Sequence, residues 1–97
     1  MSRELKLKPE VLAHALRIAE AVGYTNVTRQ AVAEASGVST GMVSKYFGTM
    51  QGLRRAIMSS ATHNQNFIVL AQGLAAKDPK AMGAPAWMKT IAAGTLV

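Results

Sequence analysis

The stretch Thr28-Arg-Gln-Ala-Val-Ala-Glu-Ala-Ser-Gly-Val-Ser-Thr-Gly-Met-Val-Ser-Lys-Tyr-Phe47 constrains this chain more than any other. It reads as two short helices joined by a tight turn. Thr28 is an N-cap, because its hydroxyl can accept from a free amide in the first helical turn. Ala31, Val32 and Ala35 follow at helical spacing. Gly37 can turn the chain at positive φ without a Cβ clash. Ser39 is the next N-cap, and Val43 and Phe47 recur at i, i+4 as the buried edge of a second helix. Ala33 is small where the two helices cross. Small, turn and buried positions in this order define a helix-turn-helix.

The flanking segments also read as helices. Pro9 suits the first turn of a helix, where its missing N–H costs nothing. Val11, Leu12, Ala15, Leu16, Ala19 and Val22 then form one apolar stripe, ended by Gly23. Tyr24 and Val27 pin the following loop to the core. Downstream, Gly48 stops the second helix and Thr49 caps a third. That helix turns Leu53, Ala56, Ile57, Ser60 and Ala61 inward and Arg54 and Arg55 outward.

These residues carry a family likeness. Thr28, Val32-Ala33, Gly37-Val38-Ser39, Gly41, Tyr46-Phe47 and Leu53 resemble the DNA-binding head of TetR-type repressors. Val11-Leu12 through Ala21-Val22-Gly23-Tyr24 resembles that family's first helix. The likeness covers residues 9 to 60. Ser44 stands where the family usually has Tyr, and Met50 where it usually has a phosphate-binding Lys. About 40 residues follow where the family carries a large ligand-binding and dimerising domain. The expected fold is therefore all-α, with a three-helix helix-turn-helix head and short C-terminal helices. Residues 1–8 form a basic arm, 9–61 the DNA-binding domain and 62–97 a helical oligomerisation tail.

Charge agrees with a polyanion partner. Eleven Lys and Arg against five Asp and Glu leave a formal net charge of +6, which favours nucleic acid over an anionic membrane. Arg3, Lys6 and Lys8 make the N-terminal segment a candidate for DNA-backbone or minor-groove contact. No run of about eighteen apolar residues suggests a membrane span. Without cysteine there is no disulfide, thiolate nucleophile or cysteine-bound zinc, in keeping with a reducing cytoplasm. His14 and His63 lie far apart, with no metal-spaced cluster, phosphate loop or triad around them. No enzyme, cofactor or metal is expected.

The second helix of the motif supplies the reading surface. At about 100° per residue, setting Val43 inward turns Gly41 and Lys45 away from the core, with Met42 and Ser44 beside them. Thr40 joins them from the first turn. Gly41 admits a close backbone, and Lys45 can donate to guanine O6 and N7 or to phosphate. Thr40 and Ser44 offer hydroxyls, and Met42 can meet a thymine methyl. At the start of the preceding helix, Thr28, Arg29 and Gln30 suit a DNA phosphate. By the family pattern Tyr46 reaches a phosphate or else closes the core. With Met50 in place of the usual Lys, the phosphate grip here is expected to be weaker or moved to Arg54, and Arg54 and Arg55 read equally as a solvated pair.

Beyond residue 61 the chain changes character. Thr62 to Asn66 is polar, a helix junction or one face of a continuing helix. Phe67, Ile68, Leu70, Ala71 and Leu74 are strongly apolar before Gly73 and Asp78-Pro79 interrupt them. Asp78 caps a short helix, and Pro85 opens a last one through Trp87, Met88 and Ile91. So much apolar surface under so few charges must fold back or meet a partner, and an interface between copies is read ahead of a purely internal core. Phe67, Leu70, Leu74, Trp87 and Ile91 are its candidates, in a homodimer or homotetramer. A tail this short is not expected to enclose a pocket of several hundred Å³.

The implied function is a DNA-binding transcriptional regulator of a bacterial cell, cytoplasmic and nucleoid-associated. It would act as a repressor on an inverted repeat in double-stranded DNA, or through RNA polymerase as an activator. The rival readings are a protein-interaction adaptor built on the same scaffold and a nonspecific architectural DNA binder.

Overall fold

The protein is described here by a computed structural model covering the backbone of residues 3–95 and the side chains of 7–95. The first helix, α1 (Arg3–Val22), buries Val11, Ala15 and Ala19 completely, one residue per turn. Leu12 and Leu16 pack beside them, half-buried. One expectation fails at each end of this helix. Pro9 lies inside α1 and not in its first turn. A mid-helix proline gives up one backbone hydrogen bond and crowds the preceding turn. Good helix formers at Glu4, Leu5, Lys6, Leu7 and Lys8 nevertheless continue the helix beyond it. At the other end Val22 is 51% exposed, outside the stripe that precedes it.

Gly23 adopts φ 94° and donates its N–H to the Ala19 carbonyl at 2.8 Å. A single 3₁₀ turn, Tyr24–Asn26, then buries Tyr24, and Val27 follows it into the core. Helix α2 (Arg29–Ser36) starts where the Thr28 hydroxyl accepts from Ala31 N at 3.1 Å. Val32 and Ala33 are its buried residues, while Ala35 faces out. Gly37, at φ 72°, makes the left-handed turn. Ser39 caps α3 (Thr40–Phe47) by accepting from Met42 N at 3.1 Å, and Val43 is buried.

Thr49 caps α4 (Met50–His63) through Gly52 N at 3.1 Å. The helix buries Leu53, Ile57, Met58 and Ala61. Met58 belongs to a face that helical spacing in the head alone did not reveal, because its partner is the tail. There α5 (Phe67–Ala75) folds back over α1 and α4, α6 (Pro79–Met82) packs on α4 and α5, and α7 (Ala86–Gly94) packs on α5. The polar stretch before α5 is a junction: α4 stops at His63, Gln65 takes φ 57°, and Asn66 caps α5 through Val69 N at 3.2 Å. Asp78 and Pro79 open α6 as expected, with the Asp78 carboxylate accepting from Lys80 N and Ala81 N.

The tail contributes Val69, Leu70, Ala71, Ala81, Ala84, Met88 and Ala92 to one hydrophobic core shared with the head. This corrects two expectations. Leu70 is fully buried inside the chain, so it is not available to a second copy. Gly73 does not interrupt a helix; it is a buried residue within α5. A Cβ there would lie 2.5 Å from Met58 Cε and 2.7 Å from Ala81 Cβ, so its bare backbone lets α4, α5 and α6 close together. Polar contacts reinforce the seam. Gln72 donates to the Ala19 carbonyl at 2.9 Å and accepts from Tyr24 N at 2.8 Å. Asn66 donates to the Glu20 carboxylate at 2.7 Å.

Candidate nucleic-acid interface

Helix α3 presents one face outward because Val43 anchors the opposite one. Thr40, Gly41 and Lys45 are exposed, and Met42 and Ser44 are half-buried at its flanks. Gly41 is informative. A Cβ there would meet only Ser39 Oγ, at an ordinary 3.8 Å. Packing within the chain therefore has no need of a glycine at this point, and the missing side chain bears on whatever approaches from outside.

The start of α2 lies beside this face. Thr28, Arg29 and Gln30 are all exposed. Thr28 already spends its hydroxyl oxygen on the cap. Gln30 reaches along its own helix to Glu34 at 3.3 Å, and Arg29 reaches across to the Ser44 hydroxyl at 3.3 Å. Eight of the candidate DNA residues thus occupy two adjoining helix segments with surface to offer.

Tyr46 departs from that set. Its hydroxyl is buried with no hydrogen-bond partner among the described residues, and its ring meets Phe47 edge-on at 6.2 Å. Of the two roles considered for it, closing the core is the one its placement matches. The reason is angular: three residues past Val43 on a helix leaves a side chain only about 60° from the buried direction.

The third helix departs further. Arg54 is half-buried and donates to the Thr25 carbonyl at 3.2 Å, with its Nε buried and unpartnered. It ties α4 to the loop after α1 and does not point outward as expected; Arg55 does. Met50 is half-buried against the core, in the position where a phosphate-binding Lys was expected from the family pattern. Of the basic N-terminal residues, Lys8 sits 5.7 Å over the Phe47 ring centroid. The side chains of Arg3 and Lys6 lie outside the described residues.

Besides Met58, two further structural residues escaped the sequence reading. Gly52 lies in the first turn of α4, where a Cβ would run into the Phe47 backbone carbonyl oxygen. Glycine in a helix costs about 1 kcal/mol relative to Ala, so its presence there was a legible sign of close backbone approach. Gln72 gave no such sign, since nothing local marks a glutamine that bridges two distant backbone groups.

Three short helices around a capped turn, with a polar outward face on the second, make a helix-turn-helix domain of the DNA-binding class. Residues 11–57 match the family of bacterial regulatory proteins called tetR, and the chain carries that family's N-terminal DNA-binding domain. A domain of this kind implies a DNA-binding transcriptional regulator, and regulators of the matched family are typically non-enzymatic. No curated protein and no solved structure gives a significant match. Among the described residues no helix is long and apolar enough to cross a membrane, and no cluster of three or more metal-ligating side chains occurs.

Proposed function

We propose that the protein is a sequence-specific repressor that binds an inverted repeat as a symmetric homodimer or homotetramer. Helix α3 enters the major groove with Thr40, Gly41, Met42, Ser44 and Lys45 toward the base edges. Arg29, beside Thr28 and Gln30 at the start of α2, holds the phosphate backbone. The observation that supports this reading is the juxtaposition of the α2 N-terminus with an outward α3 face whose glycine the fold itself does not require. In a twofold dimer the two recognition helices stand about 34 Å apart, one turn of DNA, or a multiple of it. Repression follows from occluding RNA polymerase in a bacterial cytoplasm.

Fluorescence anisotropy at two salt concentrations tests this against random duplexes and the DNA upstream of the gene. Tight binding that selects an inverted repeat and survives about 150 mM salt supports a specific regulator. Weak binding that collapses with salt and is equal for all duplexes replaces it with architectural binding.

A further inference from the structure

A groove of about 650 Å³ runs along one face of α4, away from the outward face of α3. Gly52, Ala56, Ser59 and His63 recur along it at helical spacing. At a rise of about 1.5 Å per residue the groove follows the helix for roughly 16 Å. Leu12 of α1 and Phe47 of α3 supply apolar wall, each half-buried against the core. Lys8, Arg55 and Lys80 are exposed cations on three different helices, and all of them line the same groove. No acidic side chain lines it among the described residues. Tyr46 lines it too, and its buried hydroxyl is a donor without an acceptor.

The volume falls within the usual range for small-molecule sites. Its chemistry is two-sided. An inorganic anion would leave Leu12, Phe47 and Ala56 unused, and a neutral apolar molecule would leave the cations of Arg55 and Lys80 unused. We propose that this groove binds a small amphipathic anion, an apolar chain or ring ending in an acidic head group. The apolar body lies along Ala56 and Phe47, and the head group meets Arg55 and Lys80. This site is separate from the DNA-reading face, and the inference stands whether or not α3 reads a specific sequence.

Nitrogen-edited NMR on the intact chain tests it, with decanoate below its micellar concentration as probe. Saturable shifts at Gly52, Ala56, Ser59 and Ser60 are expected. Decanol should bind at least tenfold more weakly, and decyltrimethylammonium should produce no saturable shift. Arg55→Glu and Lys80→Glu should each weaken decanoate at least fivefold, with α-helical circular dichroism unchanged. Ala56→Trp should block the groove outright; should it misfold, the two charge reversals at exposed positions still decide. Equal binding of decanol, shifts centred on Ile68, Trp87 and Ile91, or shifts produced by duplex DNA alone would each overturn the proposal.

Discussion

The Arg29 guanidinium donates to the Ser44 hydroxyl at 3.3 Å, joining the first turn of α2 to the flank of α3. TetR-type sequences usually carry Tyr at the position of Ser44. The small hydroxyl leaves Arg29 room to cross between the two helices. In the proposed complex with DNA, that arrangement would set a cation beside the reading face, to serve the backbone and not the bases. Arg29→Ala should weaken all duplexes alike and reduce the salt slope by about one. Anisotropy across a salt series measures this. A selective loss at one sequence would make Arg29 a base reader.

Lys45 stands on the outward face of α3. Lys45→Ala should cost about 1–3 kcal/mol at the preferred site and little on random DNA. The same titration reads both, and unchanged affinity for the preferred site would remove Lys45 from the contact set.

Gly52 is where α4 docks against the end of α3. Gly52→Ala places a methyl against the Phe47 carbonyl, and backbone cannot rotate aside as a side chain can. Although Ala is the better helix former, the substitution should destabilise the fold by about 1–3 kcal/mol. Urea unfolding measures it, and a stabilised variant would mean that α3 and α4 separate without penalty.

Trp87 is 53% exposed and Ile91 45%, while Phe67 touches the Trp87 ring at 6.4 Å. If these residues meet a second copy, Trp87→Ala or Ile91→Asp should shift sedimentation toward monomer. A constant mass would place the interface elsewhere. Leu70→Ala belongs to a different experiment: it should cost about 2–5 kcal/mol as a cavity in the chain's own core.

Tyr24 donates to the Asp78 carboxylate at 3.2 Å. Burial first, and the Asp78 charge second, raise its phenol above the ordinary 10.0. The folded chain therefore holds this proton more tightly than the unfolded one. The resulting stability is fully present below pH 10.0 and is lost as pH rises through the folded value. Tyr24→Phe should flatten the alkaline fall in the urea midpoint while lowering the midpoint at neutral pH. An alkaline limb identical in both proteins would place its origin in other groups.

Much of the head was legible because its signals are local. Thr28, Ser39 and Thr49 each accept from the amide three residues on, as a short oxygen-bearing side chain at a helix start does in any context. Gly37 turns left-handed because it alone lacks the Cβ that resists it. Asp78-Pro79 opens a helix for equally local reasons. The α3 surface followed from Val43 and a fixed angle per residue.

Other features depended on which distant faces meet. Sequence periodicity marks Leu70 as apolar, but only the return of α5 onto α1 and α4 decides that it faces inward. Met58 and Gly73 are 15 positions apart in number, and their closeness exists only once three helices pack. Arg54 looked like a surface cation until the Thr25 carbonyl came within its reach. Caps, turns and amphipathic stripes are written in neighbouring residues, so the order of the helices was available from the chain alone. Burial and polar pairing are properties of surfaces brought together from far along it, and those the tertiary fold had to settle.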